Sequence, residues 1–290
     1  MKSIIFGANG QDGYYLNELL RSKNVEVIGI SRSGNWLVGD VNNPDLVAKI
    51  IKSEKPDYIF NFAANSTTRH DVLIENHNTI LGGTLNILEA VKNHSPASKV
   101  FLSGSGLQFE NKGTPIKETD HFEASSAYSM SRIQSVYAAR YYRIFGLRTY
   151  VGYFFNHESP RRTERHISKM VSEACKRIKK GSKEKITLGD ISVQKEWTYA
   201  GDSVEAIWTL VNQENELECV IGSGVTYSIE KWLELCFMYY DMDWKDHFSP
   251  KEHYKPDYSI LVSDPNTINQ LGWKPNIDFY NLAEIMMEQV

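Results

Sequence analysis

Three glycines spaced three apart, Gly7, Gly10 and Gly13, follow the apolar run Ile4-Ile5-Phe6 and precede Leu16, Leu19 and Leu20. At about 7% glycine per position, a chain of this length gives roughly 0.1 such matches by chance. The flanks sharpen the pattern, because a short β-branched run leads in and an i, i+3, i+4 apolar stripe leads out. Gly7 permits a tight turn, Gly10 lets the backbone approach a pyrophosphate, and Gly13 lets helix pack closely on strand. Gln11 and Asp12 complete the loop at the helix start, where free N–H groups and the helix dipole favour an anion. The loop therefore implies a dinucleotide-binding α/β domain.

The chain around the loop repeats the same alternation. Strands are expected at Ile4–Phe6, Val25–Ile30, Tyr58–Phe62, Val100–Leu102 and Thr149–Phe155, with helices at Tyr14–Ser22, Pro44–Ser53, Thr84–Lys92 and Ala127–Phe145. Right-handed crossovers make this a Rossmann-type, doubly wound parallel sheet. After Phe155 the pattern changes. Helices are expected at 166–180, 204–211, 229–240 and 265–271, the last being final, with short strands at Ile186–Leu188 and Glu196–Tyr199. The expectation is a dinucleotide-binding domain over 1–155 and a smaller α+β substrate-binding region over 156–290.

Composition narrows the function classes. A formal charge of −4 gives no basic footprint for nucleic acid. No apolar run approaches the length of a membrane span, and the N-terminus has no signal-peptide pattern. Three well-separated cysteines argue against a disulfide framework. These features point to a cytoplasmic protein, and no metal site is expected.

The second strand ends in Ser31-Arg32-Ser33 rather than in an acidic residue. A guanidinium flanked by hydroxyls suits a ribose 2′-phosphate, so NADP is expected at Arg32, with NAD as the other possibility. Arginine at a strand end is also ordinary surface decoration. Asp40 and Val41 are placed to meet the adenine ring, although an Asp there equally suits a cap on the helix beginning near Pro44.

Several segments resemble the extended short-chain dehydrogenase/reductases, and among them the GDP-mannose 4,6-dehydratases. These are Gly10-Gln-Asp-Gly-Tyr-Tyr-Leu16, Asn61-Phe-Ala-Ala-Asn-Ser66, Leu271-Gly-Trp-Lys-Pro275 and, most specifically, Phe155-Asn-His-Glu-Ser-Pro-Arg-Arg162. The resemblance implies cofactor contacts from Ala63, Ala64 and His157. It implies hydride exchange at C4 of a hexose carried on a nucleoside diphosphate. Asn156, Glu158 and Arg161 are then expected to contact substrate, and Lys195 and Lys255 to replace the family's diphosphate-binding arginines.

Superfamily members place a catalytic tyrosine four residues before a lysine. Chance alone yields about two Tyr-x-x-x-Lys/Arg pairs here, and the chain has Tyr128–Arg132 and Tyr227–Lys231. Tyr128 opens the long helix after the fourth strand, where the resemblance puts the catalytic pair, with Arg132 in the lysine's place. Arg132 would help to stabilise the phenolate of an otherwise weak base. Ser105, just past that strand, matches the second group on the C4 oxygen.

Two residues further on, the dehydratases carry the glutamate that takes the C5 proton, but this chain has Leu107. The family's long arginine-rich loop after Arg32, which joins subunits, is also missing. The leading expectation is a 4-keto reductase, 4-dehydrogenase or epimerase of a nucleotide sugar. The alternatives are a full dehydratase with Glu110 as displaced base and a catalytically weak paralogue that binds nucleotide sugar or NADP(H). At least a dimer is expected, through the helices at 84–92 and 127–145, with Val136, Tyr137, Tyr141 and Tyr142 as adhesive residues.

Overall fold

The computed structural model describes residues 1–288. Its first half runs β1 (Lys2–Phe6), α1 (Gln11–Ser22), β2 (Glu26–Ser31), β3 (Leu37–Val38), α2 (Pro44–Glu54), β4 (Tyr58–Asn61), α3 (Leu73–Asn76), α4 (Gly83–His94), β5 (Lys99–Ser105), α5 (Ala127–Arg143) and β6 (Arg148–Phe154). The second half supplies β7 (His157–Glu158), α6 (Ile167–Lys179), β8 (Ile186–Leu188), β9 (Gln194–Glu196), β10 (Thr198–Tyr199), α7 (Ala200–Val211), β11 (Glu218–Ile221), β12 (Thr226–Ser228), α8 (Ile229–Met238), β13 (Phe248–Pro250), β14 (Ile260–Leu261), α9 (Asn266–Gln270) and α10 (Phe279–Glu288).

Seven strands form the central sheet in the order β11-β6-β5-β4-β1-β2-β3. Every pairing in it is parallel. Successive residues of β1 point to opposite faces, as the pleat dictates. Ile4 and Phe6 join a core that includes Val47, Ile87 and Val136 from α2, α4 and α5. Ile5 joins the opposite core with Leu16 and Leu20 of α1 and Ile207 and Leu210 of α7. Strand order reverses between β1 and β4, and the crevice at such a switch point is where open α/β sheets bind ligands.

The amphipathic pattern of each expected helix holds to within a few residues, and α1 begins at Gln11, a turn before its apolar stripe. The chain after residue 155 returns to the sheet: β11 extends it beside β6, and α7 packs against α1 across its face. Neither β11 nor the final helix α10 was expected. The four apolar-flanked residues of β11 are too few to show a period, and only pairing with distant β6 makes them a strand. The stripe of α10, Phe279, Leu282, Ala283, Met286 and Met287, is legible at helical spacing, so this helix follows the one expected to be last. The single strand expected at Glu196–Tyr199 divides into β9 and β10, which belong to different small sheets.

A third core fastens the remainder. Trp197 stacks on Trp232 at 4.6 Å between ring centroids, and Phe279 of α10 packs against both. All three cysteines are free and buried. Of the residues expected on the α5 surface, Val136 and Tyr142 are buried in the core, whereas Tyr137 and Tyr141 are more than half exposed. No helix among the described residues is long and apolar enough to cross a membrane.

The tightest approach of helix to strand is at Gly13, where a side-chain carbon would lie 2.6 Å from the Gly7 carbonyl oxygen and 2.7 Å from Ala8 Cα. Both obstacles are backbone and cannot swing aside. Gly13→Ala is therefore expected to destabilise the protein by about 1–3 kcal/mol, the usual cost of overpacking. Urea unfolding should show the loss as a lower midpoint at unchanged slope.

Candidate functional site

The glycine loop crosses the end of β1 with Gly7 at φ +83°, a left-handed conformation that disfavours side chains. Its N–H donates to the Ile30 carbonyl at 2.9 Å, which fixes the turn against β2. The loop floors a cavity of about 270 Å³ whose walls include Gly7, Gly10, Arg32, Asp40, Val41, Ala63 and Ala64. The seven come from four separate strand ends and loops, and the small glycines and alanines leave the backbone exposed to a ligand. Ser31 and Ser33, the hydroxyls expected beside Arg32, also line it, as do Asn9, Phe62 and Thr79, which were not among the expected contacts. Asp40 does not cap α2: its carboxylate accepts from the Asn42 N–H, and Asn43 caps the helix by accepting from the Leu46 N–H.

Gln11, Asp12 and Gly13 lie outside that cavity. The Ser159 hydroxyl donates to Gln11 Oε1 at 2.7 Å, and Asp12 Oδ1 meets His157 Nε2 at 2.9 Å. Burial raises the Asp12 carboxyl, but the His157 ring and the Arg162 charge outweigh it and hold the group well below the ordinary range. These side chains tie the start of α1 to the segment after β6. Asp12 and His157 face a second cavity, of about 320 Å³, on the far side of the loop.

That second cavity gathers Ser105, Tyr128, Arg132, Asn156, His157, Glu158 and Lys195. Tyr128 sits in the first turn of α5, which Ser126 caps by accepting from the Ser129 N–H. Ser105 ends β5, and its Oγ accepts from the Leu107 N–H at 3.2 Å, leaving its own proton for a ligand. Arg132 is buried, one turn along α5, with its guanidinium carbon 5.1 Å from the centre of the Tyr128 ring. Its Nη1 donates to the Ser103 carbonyl and hydroxyl at 2.5 and 2.9 Å. Its buried Nε–H has no partner, and among the described residues no carboxylate pairs with it. A buried cation held only by neutral oxygens is poised for an anionic or oxygen-rich ligand.

Glu158 is almost fully buried and pairs with Arg162 at 3.3 Å and Lys195 at 3.7 Å, while Ser168 Oγ donates to it. Burial raises its carboxyl, yet these two cations and the hydroxyl hold it below the usual range. Burial pushes the Lys195 ammonium down, against the pull of Glu158. Lys195 also lies 4.3 Å from the Trp197 ring centre, so it is no surface charge. His166 faces the same cavity and is pushed down to about 4 by burial and by the Arg162 charge. Four cationic side chains (Arg132, Arg162, Arg165 and Lys195) thus confront two carboxylates, Asp12 and Glu158. The surplus suits a diphosphate.

Two expected substrate residues fall elsewhere. Arg161 is exposed and stacks on the Tyr14 ring at 3.8 Å, and its neighbour Arg162 reaches the cavity instead. Lys255 is exposed and lines neither cavity. Tyr258, three residues on, does face the site, its phenol pushed up to about 12 by burial. Leu107 lines the cavity as well, and on its far side a larger space of about 680 Å³ opens past Thr68, Tyr258 and Leu261. Glu110 lines neither space. It is exposed and paired with Lys112 at 2.9 Å.

Known proteins share this arrangement of sequence and fold. The chain is 32% identical to GDP-mannose 4,6 dehydratase 2 of Arabidopsis thaliana over 99% of its length and 86% of that protein. It is 31% identical to GDP-mannose 4,6 dehydratase 1 of the same plant, over 99% and 89%. Its fold is similar to that of a dTDP-glucose 4,6-dehydratase from Bacillus anthracis solved in complex with NAD, with a TM-score of 0.87 at 19% identity over 99% and 96% of the two chains. The family profile described as GDP-mannose 4,6 dehydratase matches residues 4–286, and the chain belongs to that family.

Proposed function

We propose that this protein is an NADP-dependent oxidoreductase acting at C4 of a nucleoside diphosphate sugar, as a 4-keto reductase, 4-dehydrogenase or epimerase. The observation that carries the reading is the single cleft that holds Ser105, Tyr128 and Arg132 beside a surplus of positive charge. The names of the family relatives support a nucleotide-sugar substrate, and the NAD-bound neighbour supports a nicotinamide dinucleotide. The small-walled cavity over the glycine loop fits such a cofactor, which when bound supplies the hydride acceptor or donor for C4. Tyr128 moves the proton of the C4 oxygen and Ser105 donates a hydrogen bond to that oxygen. Arg132 favours the phenolate by its fixed charge, because arginine does not deprotonate in this range. Asn156, Arg162, Arg165 and Lys195 bind and orient the diphosphate.

Leu107 separates this reading from dehydration. Once C4 is a ketone the C5 proton is acidic, but removing it needs a positioned base worth typically 10²–10⁴-fold. Leucine offers none. Glu110, the candidate for a displaced base, is turned away into its ion pair with Lys112. The two carboxylates that do face the cleft are both engaged, Asp12 with His157 and Glu158 with Arg162 and Lys195. Incubation with GDP-mannose and NADP is therefore expected to give no rapid 4-keto-6-deoxy product by mass spectrometry, and Leu107→Glu to gain slow dehydration. Rapid formation by the parent protein would show that a base has been misplaced. Failure to turn over NADPH with any 4-keto nucleotide sugar would favour a binding paralogue instead.

The cofactor preference rests on Arg32 in the wall of the first cavity. Arg32→Gln is expected to weaken NADP binding roughly 10- to 150-fold, the cost of a lost charge-assisted contact. Calorimetry giving tighter NAD than NADP in the parent protein would return Arg32 to surface decoration.

The protein is also proposed to form at least a dimer. Leu85 of α4 and Tyr137, Tyr141, Ile144 and Phe145 on or just past α5 leave an apolar patch in solvent. Light scattering at high micromolar concentration should report a dimer or larger, and a monomer there would refute the interface.

A further inference from the structure

Arg32 extends from the end of β2 with 63% of its side chain exposed, and Glu75 of α3 lies beside it, Nη1 to Oε1, at 3.7 Å. That separation makes an ion pair without a hydrogen bond. Thr79, one helical turn beyond Glu75 in the π-helical continuation of α3, lines the same cavity as Arg32, and Glu75 stands beside Arg32 just outside that lining. The end of β2 carries no acid. Asp40, the acid in the cavity wall, has one oxygen occupied by the Asn42 N–H. The carboxylate paired with Arg32 at this rim comes from a different element, α3.

We propose that Glu75 and Arg32 form a two-way cofactor selector, in which Glu75 accepts the 2′-hydroxyl of NAD and Arg32 takes the 2′-phosphate of NADP. The inference rests on the reading of this cavity as the adenosine end of a dinucleotide site. The chemistry of the two groups is complementary. A carboxylate is an acceptor only, so it can bind the hydroxyl but repels the phosphate. A guanidinium carries five donors in a planar fork, matched to a phosphate, and gains little from a single hydroxyl. With NADP, the Arg32 fork leaves Glu75 for the phosphate, and Glu75 then faces an anion. With NAD, the pair stays together and Glu75 retains its second oxygen for the ribose. Glu75 thus restrains the NADP preference that Arg32 alone would give, and the enzyme uses both dinucleotides.

Calorimetric dissociation constants for NAD and NADP, measured on the parent protein, Glu75→Gln and Arg32→Gln, test this directly. Both side chains are substantially exposed, so neither substitution disturbs the core. Glu75→Gln is expected to tighten NADP roughly two- to five-fold, the range of an exposed charge pair. It is expected to weaken NAD roughly ten-fold, through loss of a charged acceptor. Arg32→Gln should weaken NADP and leave NAD nearly unchanged. If Glu75→Gln moves neither affinity, or moves both by one factor, while Arg32→Gln still weakens NADP, the selector is overturned and the NADP reading stands. If Arg32→Gln does not weaken NADP, the NADP reading itself fails and the selector falls with it.

Discussion

The contact on which the site depends is that of Asp12 with His157. It joins the first turn of α1 to the segment that follows β6, and Gln11 reinforces it by accepting from Ser159. The sheet holds the ends of β1 and β6 near one another, and this link fixes the side chains of the glycine loop against those of the cleft. His157 has its second ring nitrogen at 2.9 Å from the Phe155 carbonyl, which leaves the ring no freedom to turn. Buried charged contacts of this kind are weak evidence for stability, because desolvation offsets much of their attraction. Their value here is orientation. Removing one partner would leave the other buried and unsatisfied, a penalty of several kcal/mol that locks the arrangement in place.

The same logic extends to Glu158. A buried carboxylate between Arg162 and Lys195 holds two cations close together that would otherwise repel each other in a low-dielectric cleft. It neutralises only part of their charge, and Arg132 and Arg165 remain as surplus. The cleft is therefore organised before a ligand arrives, and an anion entering it meets fixed donors without having to assemble them. His166, kept neutral by burial and then by that same positive field, adds polarity but no further charge near pH 7.

Two side chains carry the proposed redox reading. Arg132 reaches back to Ser103 at the end of β5, a use that its length and planar fork allow, so the helix, the strand and Tyr128 are held as one unit. Leu107 forms an apolar part of the cleft wall, which in the proposed reading leaves C5 without a base, and a larger space opens beyond it. Redox work at C4 and elimination across C5 and C6 share their first step, so in the proposed reading the absence of a single base is enough to separate them.

The features legible in the sequence were those whose cause is local. The glycine spacing, the apolar stripe of α1 and the apolar runs of β1, β4 and β5 follow from backbone freedom and from the helical and strand periods. Tyr128 and Ser105 were singled out by the family resemblance, and each lies at the end of such an element. Three-dimensional packing decided the rest. Arg161 and Arg162 are identical in type and adjacent, and only the path of the chain out of β7 sends one onto Tyr14 and the other into the cleft. Lys195, singled out only by the resemblance and a surface charge on its own pattern, is carried by β9 beside Trp197 and Glu158. Membership of β11 in the central sheet, and the meeting of Glu75 with Arg32, likewise depend on segments far apart in sequence. Local periodicity reports how a segment presents its faces. What those faces meet is settled by long-range pairing and burial, for which a single sequence carries no spacing signal.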